Sequence, residues 1–162
     1  MKKLYAILAL LTLSLTALAQ GGRELYSKYS DLPGMEAVYI SPAMFRMIGK
    51  IPDVELGDED INFSSIIKSM TGFYILDTEN PRHAAALLDD VNKYIKAGKF
   101  ELLMEAKDDG ETMRMYTIGD EKTVTSFVMV SQEKGEVSFI SFDGNMDREQ
   151  FGEMVAKSAG KK

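Results

Sequence analysis

The sequence predicts an α+β domain built on a mostly antiparallel sheet of five or six strands, with helices packed mainly on one face. Two observations carry that expectation. Apolar residues recur at helical spacing in separate segments up to Gly98, and from Phe100 the period changes to two through four successive strands before a last helix. Strands therefore gather late instead of alternating strictly with helices, which separates this pattern from a doubly wound sheet.

Leu25, Tyr26, Tyr29 and Leu32 open the chain of elements as a short amphipathic helix, and Pro33-Gly34 stops it with turn chemistry. Val38-Tyr39-Ile40 reads as a brief strand. Ser41-Pro42 then supplies an N-cap hydroxyl and a proline at the first helical position, where its missing N–H costs nothing. The stripe Met44, Met47, Ile48, Ile51 follows and Pro52 ends it. Phe63, Ile66, Ile67 and Met70 predict another short helix before Gly72. Phe73 to Leu76 is too short for a helix and rich in strand formers, hence an interior strand.

Asn80-Pro81 repeats the cap-plus-proline signal. Ala84, Leu87, Leu88, Val91, Tyr94 and Ile95 form the clearest helical stripe, Asp89 and Lys93 pair across one turn, and Gly98 closes it. Phe100, Leu102, Met104 and Ala106 then alternate with charged residues up to the turn Asp108-Asp109-Gly110. The return arm runs from about Glu111 to Ile118. Gly119-Asp120-Glu121 turns again, Thr123 to Ser131 is the next strand, and Glu133-Lys134-Gly135 leads into Glu136 to Phe142. These four strands predict an antiparallel meander. Asp147 caps a last helix, with Gln150 three residues on as in a capping box and Met146 placed to staple against Phe151.

The start of the chain reads as an address. Met1-Lys2-Lys3 is basic, Leu4 to Leu18 is an apolar run broken by Thr12, Ser14 and Thr16, and Ala17-Leu18-Ala19 is a small-x-small cleavage pattern. A membrane-spanning helix needs about 20 apolar residues, more than this broken run supplies. Residues 1–19 are therefore expected to be a cleaved signal peptide, and residues 20–162 a single domain exported to the periplasm or beyond. Loss of Lys2 and Lys3 takes the formal charge from −6 to −8, which opposes binding to nucleic acid and to anionic membranes. The chain has no cysteine, so neither a lipidated amino terminus nor a disulfide framework is available and stability rests on a packed core.

Several motifs invite a chemical reading and are better explained as structure. Ser65-x-x-Lys68 matches the S-x-x-K of serine acyl-enzymes, but the companion S-D-N is missing, Lys122-Thr123-Val124 only half-imitates K-T-G, and the chain is too short for that fold. His83, the one histidine, follows Asn80-Pro81 in a first helical turn and is expected at the surface. Asp53, Glu55, Asp58, Glu59 and Asp60 lack the EF-hand spacing and read as a solvated loop preceding a helix. Asp143-Gly144-Asn145 with Asp147 reads as turn and cap chemistry. Met44 with Met47 and Met113 with Met115 offer thioether pairs suited to Cu(I), yet each pair continues an apolar stripe and is expected in the core. Asn62-Phe63-Ser64 is a glycosylation sequon only in a host that uses it. No catalytic, cofactor-binding or metal-binding residue is assigned.

Tyr29-Ser30-Asp31-Leu32-Pro33-Gly34, leading into Val38-Tyr39-Ile40-Ser41-Pro42-Ala43-Met44-Phe45, together with Gly72-Phe73-Tyr74-Ile75-Leu76 and the export signal, carry a resemblance. The chain resembles the secreted Gram-negative family catalogued as domain of unknown function 4252, over nearly the whole mature chain from about Leu25 to Val155. The resemblance implies an exported single-domain protein and transfers no active site. It also implies a genomic association with extracytoplasmic-function sigma factors and their anti-sigma partners. The expected function is a non-enzymatic periplasmic binding or interaction module whose partner is an envelope protein or a small ligand. A carboxylate-dependent envelope hydrolase and a chaperone-like factor holding a partner chain or lipid are the alternatives.

Overall fold

The computed structural model describes residues 21–48 and 63–159. The expected leader, the acidic connection from Asp53 to Asp60, the helix stop at Pro52 and the sequon residue Asn62 lie outside the described residues. Five helices and six strands are described: α1 (Gly21–Tyr29), β1 (Glu36–Ile40), α2 (Pro42–Ile48), α3 (Phe63–Ser69), β2 (Met70–Thr78), α4 (Pro81–Gly98), β3 (Glu101–Asp108), β4 (Glu111–Gly119), β5 (Thr123–Glu133), β6 (Glu136–Asp147) and α5 (Arg148–Ala159). The strands form one sheet in the order β1-β2-β6-β5-β4-β3, and every neighbouring pair is antiparallel.

The expected meander is β3 to β6, and its tight turns have the predicted chemistry. Asp109-Gly110 and Lys134-Gly135 both place two consecutive residues at positive φ, the pattern of type I′ turns that follow the natural twist of a hairpin. β2 adds to the free side of β6, and β1 adds to β2. The chain must then cross from β2 to the far edge strand β3. Four strand spacings are about 19 Å, and the 18 residues of α4 extend about 27 Å, so one helix spans the sheet. Asn80 starts it: its Oδ1 accepts from the Arg82 N–H at 3.1 Å and the His83 N–H at 3.4 Å, with Pro81 at the first helical position.

Residue alternation divides the sheet into two apolar faces. Leu76, Phe139, Val128, Val130 and Val137 face α4, where Ala84, Leu87, Val91 and Ile95 meet them. Leu76, Leu87, Val91 and Phe139 are wholly buried, each contributing about 1.5–3 kcal/mol. α1 lies on the same layer, with Leu25 and Tyr29 in this core. On the opposite face Phe127, Phe142, Phe151, Val124, Met146 and Ile66 form a second, aromatic core under α3 and α5. The rings of Phe127 and Phe142 stack at 4.6 Å, and Phe151 meets Phe127 edge-on at 5.4 Å.

Several local expectations give way to the fold. Met70 belongs to β2 and not to the preceding helix, because β2 extends beyond Phe73–Leu76 in both directions to pair with β6. β6 likewise continues past Phe142 to Asp147, so Asp143-Gly144-Asn145 is strand; Gly144 is required there because a Cβ would lie 2.6 Å from the Ser69 carbonyl oxygen. The left-handed residue after α4 is Lys99, and Gly98 instead leaves room for the Phe100 ring. Met44 and Met47 are exposed; Phe45 is the residue that α2 buries. Phe100, Leu102, Met104 and Ala106 do not share one face either. A bulge between Leu102 and Met104 places them opposite Tyr116 and Met115, adjacent residues of β4 that point to opposite sides.

One polar contact fixes α1 to α4. Asp90 accepts hydrogen bonds from the Lys28 ammonium and from the Tyr29 hydroxyl, the latter at 2.7 Å. These donors hold the Asp90 carboxyl below its ordinary range, while burial and then Asp90 push the Tyr29 hydroxyl up. Asp89 and Lys93 pair as expected at 2.6 Å, but both are exposed and contribute little. Replacing Asp90 with asparagine should cost about 1–2 kcal/mol at neutral pH in urea unfolding. A lowered carboxyl pKa adds stability above its unfolded value that disappears as pH falls through the folded value, so wild type and Asp90→Asn should converge in strong acid.

Candidate binding site

The β4–β5 turn and the start of α5 are locked together. Asp120 Oδ1 accepts from the N–H groups of Lys122 at 2.9 Å and Thr123 at 2.8 Å, and the Arg148 N–H donates to the Lys122 carbonyl at 2.9 Å. Asp147 caps α5 as its spacing predicts, accepting from Glu149 at 3.1 Å and Gln150 at 3.0 Å. Bulges at Ile118/Gly119 and Val124/Ser126 bend the strands here, and the Thr125 hydroxyl donates to the Ile118 carbonyl at 3.1 Å. Gly119 is obligatory, since a Cβ on it would sit 1.9 Å from the Thr123 carbonyl oxygen.

This bend leaves a groove of about 370 Å³ between α5 and the β3–β4–β5 side of the sheet, within the range of small-molecule sites, roughly 300–1,000 Å³. Leu103 and Met104 form one wall, Phe151 and Val155 the other, and Val124 lies between them. Leu103 is 42% exposed, so the groove has an apolar lip on an edge strand. From Met104 a cross-strand row continues over the same face through Met115, Met129, Ile140 and Ile75, all half-buried.

Among the described residues, Arg148 is the charged side chain that lines the groove. Its Nη1 lies 3.8 Å from Glu101 Oε2, beyond hydrogen-bond distance, and its Nε is shielded from solvent without a hydrogen-bond partner. Asp120 lies near enough to feel its charge, but Asp120 is held low chiefly by its backbone hydrogen bonds. Arginine at the first position of a helix opposes the helix dipole, so packing within the helix does not account for it.

A second constellation lies on the other face, beside the start of α1. Tyr74, Tyr94 and Asp143 surround Ser126 and Ser141, two buried serines whose hydroxyls have no hydrogen-bond partner. Burial, aided by Asp143, pushes both tyrosine hydroxyls up to about 12. Burial also raises the Asp143 carboxyl, and the Ser126 hydroxyl partly offsets this without reaching the geometry of a formed bond. Gly22 makes the layer possible, because a Cβ there would come within 2.8 Å of Ser141 Oγ. The arrangement holds protonated tyrosines and one acid under a helix. Among the described residues no second carboxylate acts on Asp143, so none of them pairs with it as glycoside chemistry requires.

The remaining sequence motifs stay apart. Lys68 is exposed near the end of α3, while the Ser65 side chain lies outside the described residues. His83 is half-buried, with its Nδ1 shielded and without a hydrogen bond. Met113 and Met115 are half-buried on the sheet. Asp108, Glu111, Glu133 and Glu136 collect at the other end of the sheet, where burial and then Asp77, Glu79 and Glu133 raise Glu136. No three His, Cys, Asp or Glu side chains among the described residues are placed to hold a metal ion together, and no described helix is long and apolar enough to cross a membrane. Sequence reading missed Arg148 because only the fold brings it beside Leu103. Its one local signal is a basic residue directly after a helix cap.

Residues 29–154 match the family model described as a domain of unknown function (DUF4252). Among curated proteins none matches the chain.

Gly119→Ala should destabilise the domain by about 1–3 kcal/mol in chemical unfolding, because backbone must move to admit the methyl group. Asp143→Asn should act in the opposite direction. A raised carboxyl pKa means that stability is lost as pH rises from the ordinary carboxylate range through the folded value. The variant should therefore melt higher than wild type at pH 8, with the gap closing near pH 3 in a calorimetric series.

Proposed function

The chain belongs to the DUF4252 family, and from that premise we propose that it is an exported, non-enzymatic module of the cell envelope that binds a partner or small ligand through the groove beside α5. The observation that carries this reading is the apolar groove itself, opening beside exposed Leu103 on the edge strand. Buried side chains stabilise a fold, whereas large apolar side chains left at the rim of a concavity favour association. Export is supported by the basic start, the apolar run and Ala17-Leu18-Ala19. The net charge argues against nucleic acid and against anionic membrane surfaces as partners.

A carboxylate-dependent hydrolase is the second reading, favoured by Asp143 beside Tyr74 and Tyr94. It suffers from geometry, since these groups lie beneath α1 and no second acid among the described residues acts on Asp143. Turnover of an envelope glycan or peptide that disappears in Asp143→Asn would put this reading ahead.

The binding reading is tested with a photo-crosslinking side chain placed at Leu103 or, as a control, at Asp108 on the acidic end. In intact envelopes the Leu103 position should give a discrete adduct that the Asp108 position does not. Equal or absent labelling at both would count against the groove. Amino-terminal sequencing of the same material should begin at Gln20 if the leader is cleaved.

A further inference from the structure

We infer that the groove takes a single-chain anionic amphiphile, with the acyl tail along Leu103, Met104, Phe151 and Val155 and the acidic head on Arg148. This inference deepens the binding reading and rests on it. The groove has two chemically distinct parts. Its body is built from aliphatic, thioether and aromatic carbon, while its charged wall is a guanidinium.

The state of that guanidinium distinguishes a ligand contact from ordinary surface charge. Arg148 is about one-third exposed, its Nη1 misses Glu101 by hydrogen-bond criteria, and its Nε is shielded without an acceptor. A buried N–H without an acceptor is disfavoured, because its lost hydration is not replaced. A carboxylate or sulfate on the exposed third of the guanidinium would replace the 3.8 Å approach of Glu101 with direct charge-assisted hydrogen bonds, and a two-bond contact that includes the shielded Nε requires the side chain to turn towards the groove. Asp120 is already engaged by two backbone N–H groups, and Glu101 has a 72% exposed side chain free to move aside.

The rest of the molecule narrows the ligand further. Charge at the opposite end of the sheet is acidic, which disfavours an anion there, whereas at the groove Arg148 offers a cation whose neighbour Glu101, 3.8 Å away, must yield to the incoming head. A polyanionic surface would meet a chain of net negative charge, whereas a monoanion meets an arginine at the wall of an apolar groove. The tail has a continuation, because the half-buried row Met104, Met115, Met129 starts in the groove wall and can adapt to chains of different length.

The test titrates the mature chain, residues 20–162, with laurate, dodecyl sulfate and neutral dodecyl maltoside below their micelle concentrations, by calorimetry. Laurate and dodecyl sulfate should bind one to one, at least tenfold more tightly than the neutral amphiphile. Arg148→Gln should lower laurate affinity about tenfold while leaving dodecyl maltoside unchanged, and Arg148→Lys should fall between. Leu103→Gln should weaken all three. Thermal melting of each variant establishes that it is folded. Equal binding of charged and neutral amphiphiles, no effect of Arg148→Gln, or tighter capture of a peptide with an apolar carboxyl-terminal residue would overturn the inference. If laurate fails to bind while Leu103 still crosslinks in envelopes, the anionic-amphiphile inference falls and the binding module stands. If both fail, so does the proposed function.

Discussion

The pairing of β2 with β6 is the constraint on which the rest of this structure depends. It joins residues far apart in sequence, from Thr78 opposite Val137 to Met70 opposite Gly144, so its loop-closure entropy must be offset by what the pairing buries. The offset comes from both faces at once. Leu76 opposite Phe139 sits in the core under α4, while Phe73 opposite Phe142 joins the aromatic layer under α3 and α5. Without this ladder the meander would be an open four-stranded sheet, and β1 would have nothing to pair with. α4 would have half a surface to cover.

The same pairing sets where each helix can go. β2 ends at one side of the sheet and β3 begins at the opposite edge, so α4 has to cross the intervening strands, and it is long enough to do so. It thereby seals one face, with α1 held beside it through Asp90. The other face receives shorter helices. α3 leads directly into β2 and α5 leaves directly from β6, so both are confined to the region of that pair. What they do not cover is the row through Ile140, Met129, Met115 and Met104, which stays half-buried and merges with the groove at the β3 edge.

Legibility in the sequence follows the range of the interaction involved. Asn80-Pro81, Asp109-Gly110, Lys134-Gly135 and Asp147 act through neighbours within a few residues, and each does in the structure what its local chemistry predicts. The α+β class and the meander follow from such signals added together. The full lengths of β2 and β6 do not, because Met70 and Asp143 to Met146 become strand only through partners far away. The bulge at Leu103 was equally hidden: alternation in a sequence assumes an uninterrupted ladder, and one extra residue reverses every face that follows it. Met44 and Met47 show the complementary failure. Their spacing is helical, but on a helix as short as α2 the single buried anchor is Phe45.

The candidate site was the least legible part, and for a physical reason. A groove that accepts an apolar ligand uses the residue types of a core, so Leu103, Met104 and Val155 carry no chemical label apart from their position. Catalytic sites announce themselves through residues that are expensive to place, such as paired acids or a nucleophile beside a base. Here the displaced element is one arginine. At the first turn of α5 it opposes the helix dipole, and its Nε lies shielded without an acceptor beside an apolar wall. Asp147 has already capped the backbone N–H groups of Glu149 and Gln150, so an incoming anion need not compete for them and is left to the guanidinium. The cap and the arginine are adjacent in sequence and divide the work: one closes the helix, and the other keeps a positive charge at the groove.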